Sequence, residues 1–308
     1  MMSKQAFCPY NPVMRILLTG GSGDLGTLLS ADLLARAYDV ASIDMAEPRI
    51  AVPHFVKGSI IDRAAVKRAM AGVDCAVHIA AWHGIHEVEK TKTPEDFHDL
   101  NVTGTFNMLE AAAAAQVRNF VFISSTSVSD PYSVYGNSKI LGEEMCRAYA
   151  HRHNMRIIIL RPRAFIPSWN RQVYKTWHDW AAWFMRGAVH IDDVKQSVMK
   201  SVLHLAANKP LPAPPPILTI DGAYEYTGDD LAQWDAAGAG STFRKYYAEH
   251  EKRAAEAGLD IARKPRVLDI TAARALIGYA PQYSLKNLLQ ELQQYGQDGP
   301  PAPFAGNT

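Results

Sequence analysis

Along the first half of the 308-residue chain, short apolar runs alternate with longer stretches whose apolar residues recur at helical spacing. VMRILLTG (13–20) is an aliphatic run closed by glycine, and DLGTLLSADLLARA behind it sets leucines and alanines three and four apart. Strand, turn and helix are predicted there. The rhythm continues through VASID (40–44), FVKG (55–58), CAVHIAA (75–81), NFVFISS (119–125) and MRIIILRP (155–162), with helical stretches between them. Near-continuous apolar strands separated by helices predict a parallel sheet covered on both faces, a doubly wound α/β architecture.

After residue 162 the rhythm breaks. SWNRQVYKTWHDWAAWFMRG carries four tryptophans, HIDDVKQSVMKSVLHLAA reads as one more helix, and KPLPAPPPI is too rich in proline for a helix or a central strand. The expected organisation is an N-terminal arm (1–12), a dinucleotide-binding domain (13–209), a small, mostly helical C-terminal lobe (210–296) and a disordered tail (297–308).

Charge changes this picture little. Thirty-two basic residues face 31 acidic ones, a formal net of +1, so no global field favours nucleic acid or an anionic membrane. Cys8, Cys75 and Cys146 are odd in number and lack paired spacing, which fits a reducing cytoplasm better than a disulfide framework or a zinc site. The apolar runs are strand-length, and the opening residues lack the apolar core of a secretory signal. A cytoplasmic location is expected.

Chemistry first shows at TGGSGDLG (19–26), where Gly20, Gly23 and Gly26 lie on a predicted strand-to-helix junction. Such a turn lets the backbone approach a pyrophosphate and aims the first helical amides at it, over Ser22, Asp24 and Leu25. Asp44, closing the second strand, can accept from the adenosine ribose and repel a 2′-phosphate, favouring NAD over NADP, although Arg49 could reach that phosphate. Tyr135 and Lys139, in VYGNSKILGEEMCRAYAHRH, share one helix face. An ammonium there can stabilise a phenolate and lower its pKa, so the pair can move a proton while hydride passes to or from a nicotinamide. Alone, the pair also fits an amphipathic helix with one buried ring and one solvated lysine.

TGGSGDLG, HIAA, NVTGT, FISSTSV and YGNSKILGEE, in this order and at these separations, resemble the extended short-chain dehydrogenase/reductases of the NAD-dependent epimerase/dehydratase family. The resemblance covers about residues 13–165 and returns at HIDDV (190–194) and LIGYAPQYSL (276–285). It implies a Rossmann fold, NAD as cofactor, and roles for particular residues. Asp44 matches the ribose ligand, Ser59 and Ile60 the adenine-side pair, and Ala80 and Ala81 the loop beneath the cofactor. Asn101 matches a bracing asparagine, with Ser124 among the cofactor contacts. Thr126 matches the hydroxyl that bonds the reacting oxygen, Tyr135 the acid/base, and Lys139 the residue that tunes it and binds the nicotinamide ribose. The family's dimer-forming helix pair corresponds to 94–115 and 135–153, implying a homodimer.

The segment after the sixth strand reads RPRAFIP, where nucleotide-sugar members carry RxxNVYGP, and only residues 168–189 separate it from HIDDV. That is little chain for a diphosphate clamp. In this respect the sequence resembles the compact uronate-dehydrogenase type. His83, Ser125, Thr126, Arg163 and Trp169 are the expected substrate contacts, arginine suiting a carboxylate and tryptophan a sugar face. His83 and His86 lack a convincing carboxylate partner, so no metal site is expected. The leading expectation is an NAD-dependent oxidoreductase taking hydride from a hydroxyl of a sugar or sugar acid. The alternatives are an epimerase or dehydratase with transient oxidation and, further off, an NAD-sensing binding protein.

Overall fold

The structure, a computed structural model, describes residues 14–304. The expected arm at 1–12 lies outside the described residues. Seven strands form one parallel sheet: β1 (Arg15–Thr19), β2 (Asp39–Asp44), β3 (His54–Lys57), β4 (Cys75–His78), β5 (Asn119–Ile123), β6 (Arg156–Pro162) and β7 (Ile217–Ile220). Their spatial order is β3-β2-β1-β4-β5-β6-β7. The order reverses between β1 and β4, which opens a crevice at their carboxyl ends.

Successive side chains along each strand point to opposite faces, so each strand supplies two cores. Ile16 and Leu18 of β1, Val121 and Ile123 of β5 and Ile158 and Leu160 of β6 join one cluster; Leu17, Phe120, Phe122, Ile157 and Ile159 join the other. The helices of the nucleotide half are α1 (Asp24–Ala35), α2 (Arg63–Ala69), α3 (Gly84–Val88), α4 (Pro94–Phe97), α5 (Gly104–Ala114) and α6 (Val134–His153). A π-helical turn, His98–Thr103, joins α4 to α5. Two more follow β6, α7 (Trp177–Phe184) and α8 (Ile191–Ala206). α1 and α8 supply leucines and valines to the first cluster, whereas α2, α5 and α6 cover the second.

The expected boundary at residue 209 does not divide the molecule. β7, from the segment assigned to the lobe, completes the sheet beside β6 with Ile159 opposite Ile217 and Leu160 opposite Leu218. Conversely, α7 belongs to the lobe core. Trp177 and Trp180 are fully buried against Phe243, Tyr247, Leu288, Leu289 and Leu292. The short helices α9 (Gly228–Ala232), α10 (Trp234–Ala237), α11 (Ser241–Tyr247), α12 (Glu251–Glu256) and α13 (Thr271–Ile277) precede the closing helix α14 (Leu285–Tyr295). Truncating either tryptophan to alanine would cost about 3–5 kcal/mol. Phe304 packs on the first sheet cluster, and a side chain at Gly299 would strike the Trp177 ring at 2.0 Å.

Arg163 and Asp221 fasten the lobe to the sheet. The Arg163 guanidinium donates to both Asp221 oxygens at 3.3 Å, to the Tyr224 hydroxyl's oxygen at 3.1 Å and to the Arg266 carbonyl at 2.5 Å. Asp221 also accepts from the amides of Gly222 and Leu268 and from the Tyr224 hydroxyl. With side chains 8% and 1% exposed, neither partner can turn to water if the other is removed. Arg163→Ala should therefore destabilise the fold by about 3–5 kcal/mol, read as a lower urea midpoint; an unchanged midpoint would show that this buried pair does not hold the lobe.

Candidate active site and cofactor groove

The glycine-rich turn follows β1. Gly20 has φ +67° and lies against Ala80, and a Cβ on Gly26 would sit 2.3 Å from the Gly20 carbonyl oxygen, so the turn and the close seating of α1 both require glycine. α1 starts at Gly23 with no side-chain cap, leaving its first-turn amides to an anion. Asp44 accepts from the Ser22 amide at 3.0 Å and the Ala46 amide at 2.9 Å, which fixes its carboxylate at the end of β2. An uncapped helix start beside a fixed carboxylate suits a dinucleotide's pyrophosphate and ribose. Leu25, expected among the cofactor contacts, buries its side chain in the core, so only its backbone can face the groove.

A chain of hydroxyls and one imidazole holds the loop after β4. His78 lies between the Thr19 hydroxyl (2.8 Å) and the Thr105 hydroxyl (2.9 Å), and Thr19 Oγ1 accepts from the amides of Ile79 and Ala80. Burial pushes the imidazole down to about 3, so it acts here as a neutral link. This brings Ala80 and Ala81 beside Gly20. Asn101, in the π-helical turn, accepts from the Trp82 amide at 2.8 Å and donates to the Trp82 carbonyl and the Ser138 hydroxyl, both at 3.0 Å. Ser138 in turn donates to the Tyr135 carbonyl at 2.8 Å. Ser59 accepts locally from the Ile61 amide, while the Ile60 side chain is buried against Gly104. Asn107, which the sequence reading missed, holds the carbonyls of Ile60 and Ile61.

Tyr135 opens α6, and Lys139 lies one turn on. The lysine amine is buried, donates to the Ile123 carbonyl at 2.9 Å and stands 5.8 Å from the centre of the Tyr135 ring. The expected lowering of the phenol is opposed by burial. Burial raises Tyr135 to about 12, the Ser125 hydroxyl opposing by a hydrogen bond, and burial lowers Lys139 to about 8 against the charge of Glu143. Desolvation disfavours the charged form of each.

Several expected residues lie elsewhere. The Ser125 hydroxyl is buried, pairs with the Ser127 hydroxyl at 3.0 Å and lies near enough to the Tyr135 phenol to oppose its upward shift; Thr126 is half-buried at the start of a 3₁₀ turn. Ser124 turns inward and donates to Glu143 at 2.5 Å, where Arg161 forms a two-point ion pair, so its hydroxyl is not offered to a cofactor. Arg163 is already neutralised by Asp221 and does not suit a substrate carboxylate. Trp169 donates through its indole to Asp24 at 3.1 Å, placing it at the phosphate turn. His83 is exposed at the N-terminus of α3.

Glu87, from α3, was also missed. Its carboxylate accepts from the amides of Val134 (2.7 Å) and Tyr135 (2.9 Å), capping α6 from outside, which a local capping pattern does not reveal.

The lysine makes a stability prediction. With a folded-state value of about 8 against an ordinary 10.5, Lys139 binds its proton less tightly in the folded chain than in the unfolded one. Its charge therefore opposes folding fully below pH 8, and stability should climb between pH 8 and 10.5 as the folded amine deprotonates first. Lys139→Met should raise stability at pH 7 by on the order of 1–3 kcal/mol and remove that climb; an equal climb in both proteins would refute it.

Comparison with known proteins fits this geometry. An uncharacterised protein of Sinorhizobium fredii is 30% identical over 189 residues, 56% of this chain and 46% of its own length. A uronate dehydrogenase of Pseudomonas syringae pv. tomato is 29% identical over 218 residues, 64% of this chain and 77% of its own. An N-acetyl-alpha-D-glucosaminyl-diphospho-ditrans,octacis-undecaprenol 4-epimerase of Escherichia coli O157:H7 is 30% identical over 171 residues, 51% and 50%. The chain thus spans about half the length of two of these three relatives. The crystal structure of a UDP-glucose 4-epimerase from Thermotoga maritima superposes with a TM-score of 0.64 at 19% identity, covering 92% of this chain and 98% of that one. Residues 16–187, more than half of the chain and the whole of the groove's framework, match the model of one family. The protein is a member of the NAD dependent epimerase/dehydratase family, with NAD as its cofactor.

Proposed function

We propose that the protein oxidises a hydroxyl of a sugar or nucleotide sugar transiently and returns the hydride within the same cycle, as an epimerase or dehydratase. The observation that supports the chemistry is Tyr135 with the Lys139 amine 5.8 Å from its ring centre and anchored on the Ile123 carbonyl at the carboxyl end of β5, with the Ser125 hydroxyl nearby. NAD, when bound, supplies the hydride acceptor and donor. Tyr135 takes the proton of the substrate hydroxyl and later gives one back, Ser125 donates to the reacting oxygen, and Lys139 moderates the charge on the phenol. The retained tyrosine and lysine argue against a purely NAD-sensing protein.

The choice of alternative is supported by the lobe. Its cleft is lined by Phe184, Tyr226, Phe243 and Tyr283 with Arg263 and Arg266, a set suited to a ring system bearing anionic groups. The sequence reading sought a diphosphate clamp only in residues 168–189. In this reading later segments of the chain supply it. The epimerase relative points the same way. A dehydrogenase of a free sugar acid is the second reading, favoured by the greater share of the uronate dehydrogenase that aligns. We also propose a homodimer through the outer faces of α5 and α6, where Leu141 is 40% exposed; Leu141→Glu should then shift the size-exclusion mass to that of a monomer.

Incubation with NAD and a panel of free sugars, uronates and nucleotide sugars, followed by nuclear magnetic resonance and nicotinamide absorbance, tests the reading. Isomerised or dehydrated product without net NADH is expected; stoichiometric NADH would establish the dehydrogenase, and turnover of no carbohydrate would defeat both. On the substrate so found, Tyr135→Phe should lower turnover by about 10²–10⁴-fold while leaving NAD affinity within about threefold. Ser125→Ala should lower it by about 10²-fold, and Thr126→Val should leave it nearly unchanged. The reverse order would return the role to Thr126.

A further inference from the structure

Asp24 is the first residue of α1, within the glycine-rich segment that a dinucleotide's pyrophosphate would approach. A negative charge there should repel such a ligand, yet it is anchored from two sides. Oδ1 accepts from the Arg49 guanidinium at 2.8 Å and from the Trp169 indole at 3.1 Å, so loops after β2 and after β6 meet on one oxygen. The Asp24 side chain is 18% exposed and that of Arg49 is 43% exposed. The β2 loop has little freedom to move away. Asp44 holds the amides of Ser22 and Ala46, and the Ser22 hydroxyl donates to the Ala46 carbonyl at 2.8 Å.

Arg49 is the only arginine or lysine between Asp44 and Lys57, five positions beyond the carboxylate expected at the adenosine ribose. A guanidinium in that loop is the group that would take a 2′-phosphate in a two-point contact. We propose that Asp24 is a cofactor-selecting residue: it draws Arg49 across the glycine-rich turn, away from the 2′-position, so that preference for NAD over NADP depends on Asp24 as well as on Asp44. Trp169 holds the carboxylate in place for this. The N-terminus of α1 favours a carboxylate at this position as well.

The proposal rests on the cofactor groove and not on the substrate reading, and ligand binding alone tests it. Titration calorimetry on the full chain would compare NAD, NADP and adenosine 2′,5′-bisphosphate, the last lacking the nicotinamide altogether. Asp24→Asn should tighten NADP and the bisphosphate about tenfold while NAD changes by less than about threefold. The gain should vanish in Asp24→Asn/Arg49→Ala, which separates a redirected guanidinium from simple loss of a repelling charge. Arg49→Ala alone should leave the NAD to NADP affinity ratio within about threefold of wild type, a result that does not depend on the Asp24 variant folding. An unchanged ratio in Asp24→Asn, a gain that survives in the double variant, or a tenfold loss of NADP binding in Arg49→Ala alone would each overturn the proposal.

Discussion

Burial of the Lys139 amine beneath the carboxyl edge of β5 is the constraint on which the site turns. The amine reaches the Ile123 carbonyl because α6 packs on the sheet face formed by Phe120 and Phe122, and that packing strips the amine of water and leaves the neighbouring phenol half-buried. In water the two charges would attract weakly; in this enclosure each charged form is disfavoured before it can help the other. The ligand-free site therefore holds a neutral phenol. An acid/base pair of this kind becomes competent when a bound cation and a substrate hydroxyl change the field around it, which ties proton transfer to the assembled complex.

Positioning comes from polar groups that the core had to satisfy anyway. Asn101 ties the loop after β4 to α6 through Ser138, and Glu87 reaches from that loop to cap the same helix. The loop and Tyr135 are consequently tied together by side-chain hydrogen bonds. On the far side, Asp193 accepts from the amides of Gln282 and Tyr283, and His190 stacks on Tyr283 with ring centres 4.1 Å apart. Together with Asp221, these contacts fix the lobe to the sheet that carries the chemistry.

Much of this was legible in the sequence. The six strands read from apolar runs lie where expected to within a residue or a few, because a buried parallel strand allows little but aliphatic side chains. HIDDV and LIGYAPQYSL, some eighty residues apart, meet through Asp193. What could not be read was set by three-dimensional neighbours. β7 is four residues long and follows a proline-rich stretch, so it carries no strand signal apart from the edge it completes. Ser125 and Thr126 differ by one position on a chain leaving its strand, and only the turn decides which hydroxyl faces Tyr135. Arg163 looked like a ligand because arginine is rarely buried; its partner Asp221 lies 58 residues away.

The pair of opposed shifts is open to direct measurement. Isotope-labelled tyrosine, with Tyr135→Phe to assign the signal, would follow ionisation of Tyr135 in ligand-free protein and with NAD bound. Without ligand the phenol should stay protonated past its ordinary value of 10, burial holding it near 12, and the oxidised cofactor should bring it down. A ligand-free midpoint at or below 10 would mean that Lys139 already overcomes desolvation, contradicting the picture of a site activated only on assembly.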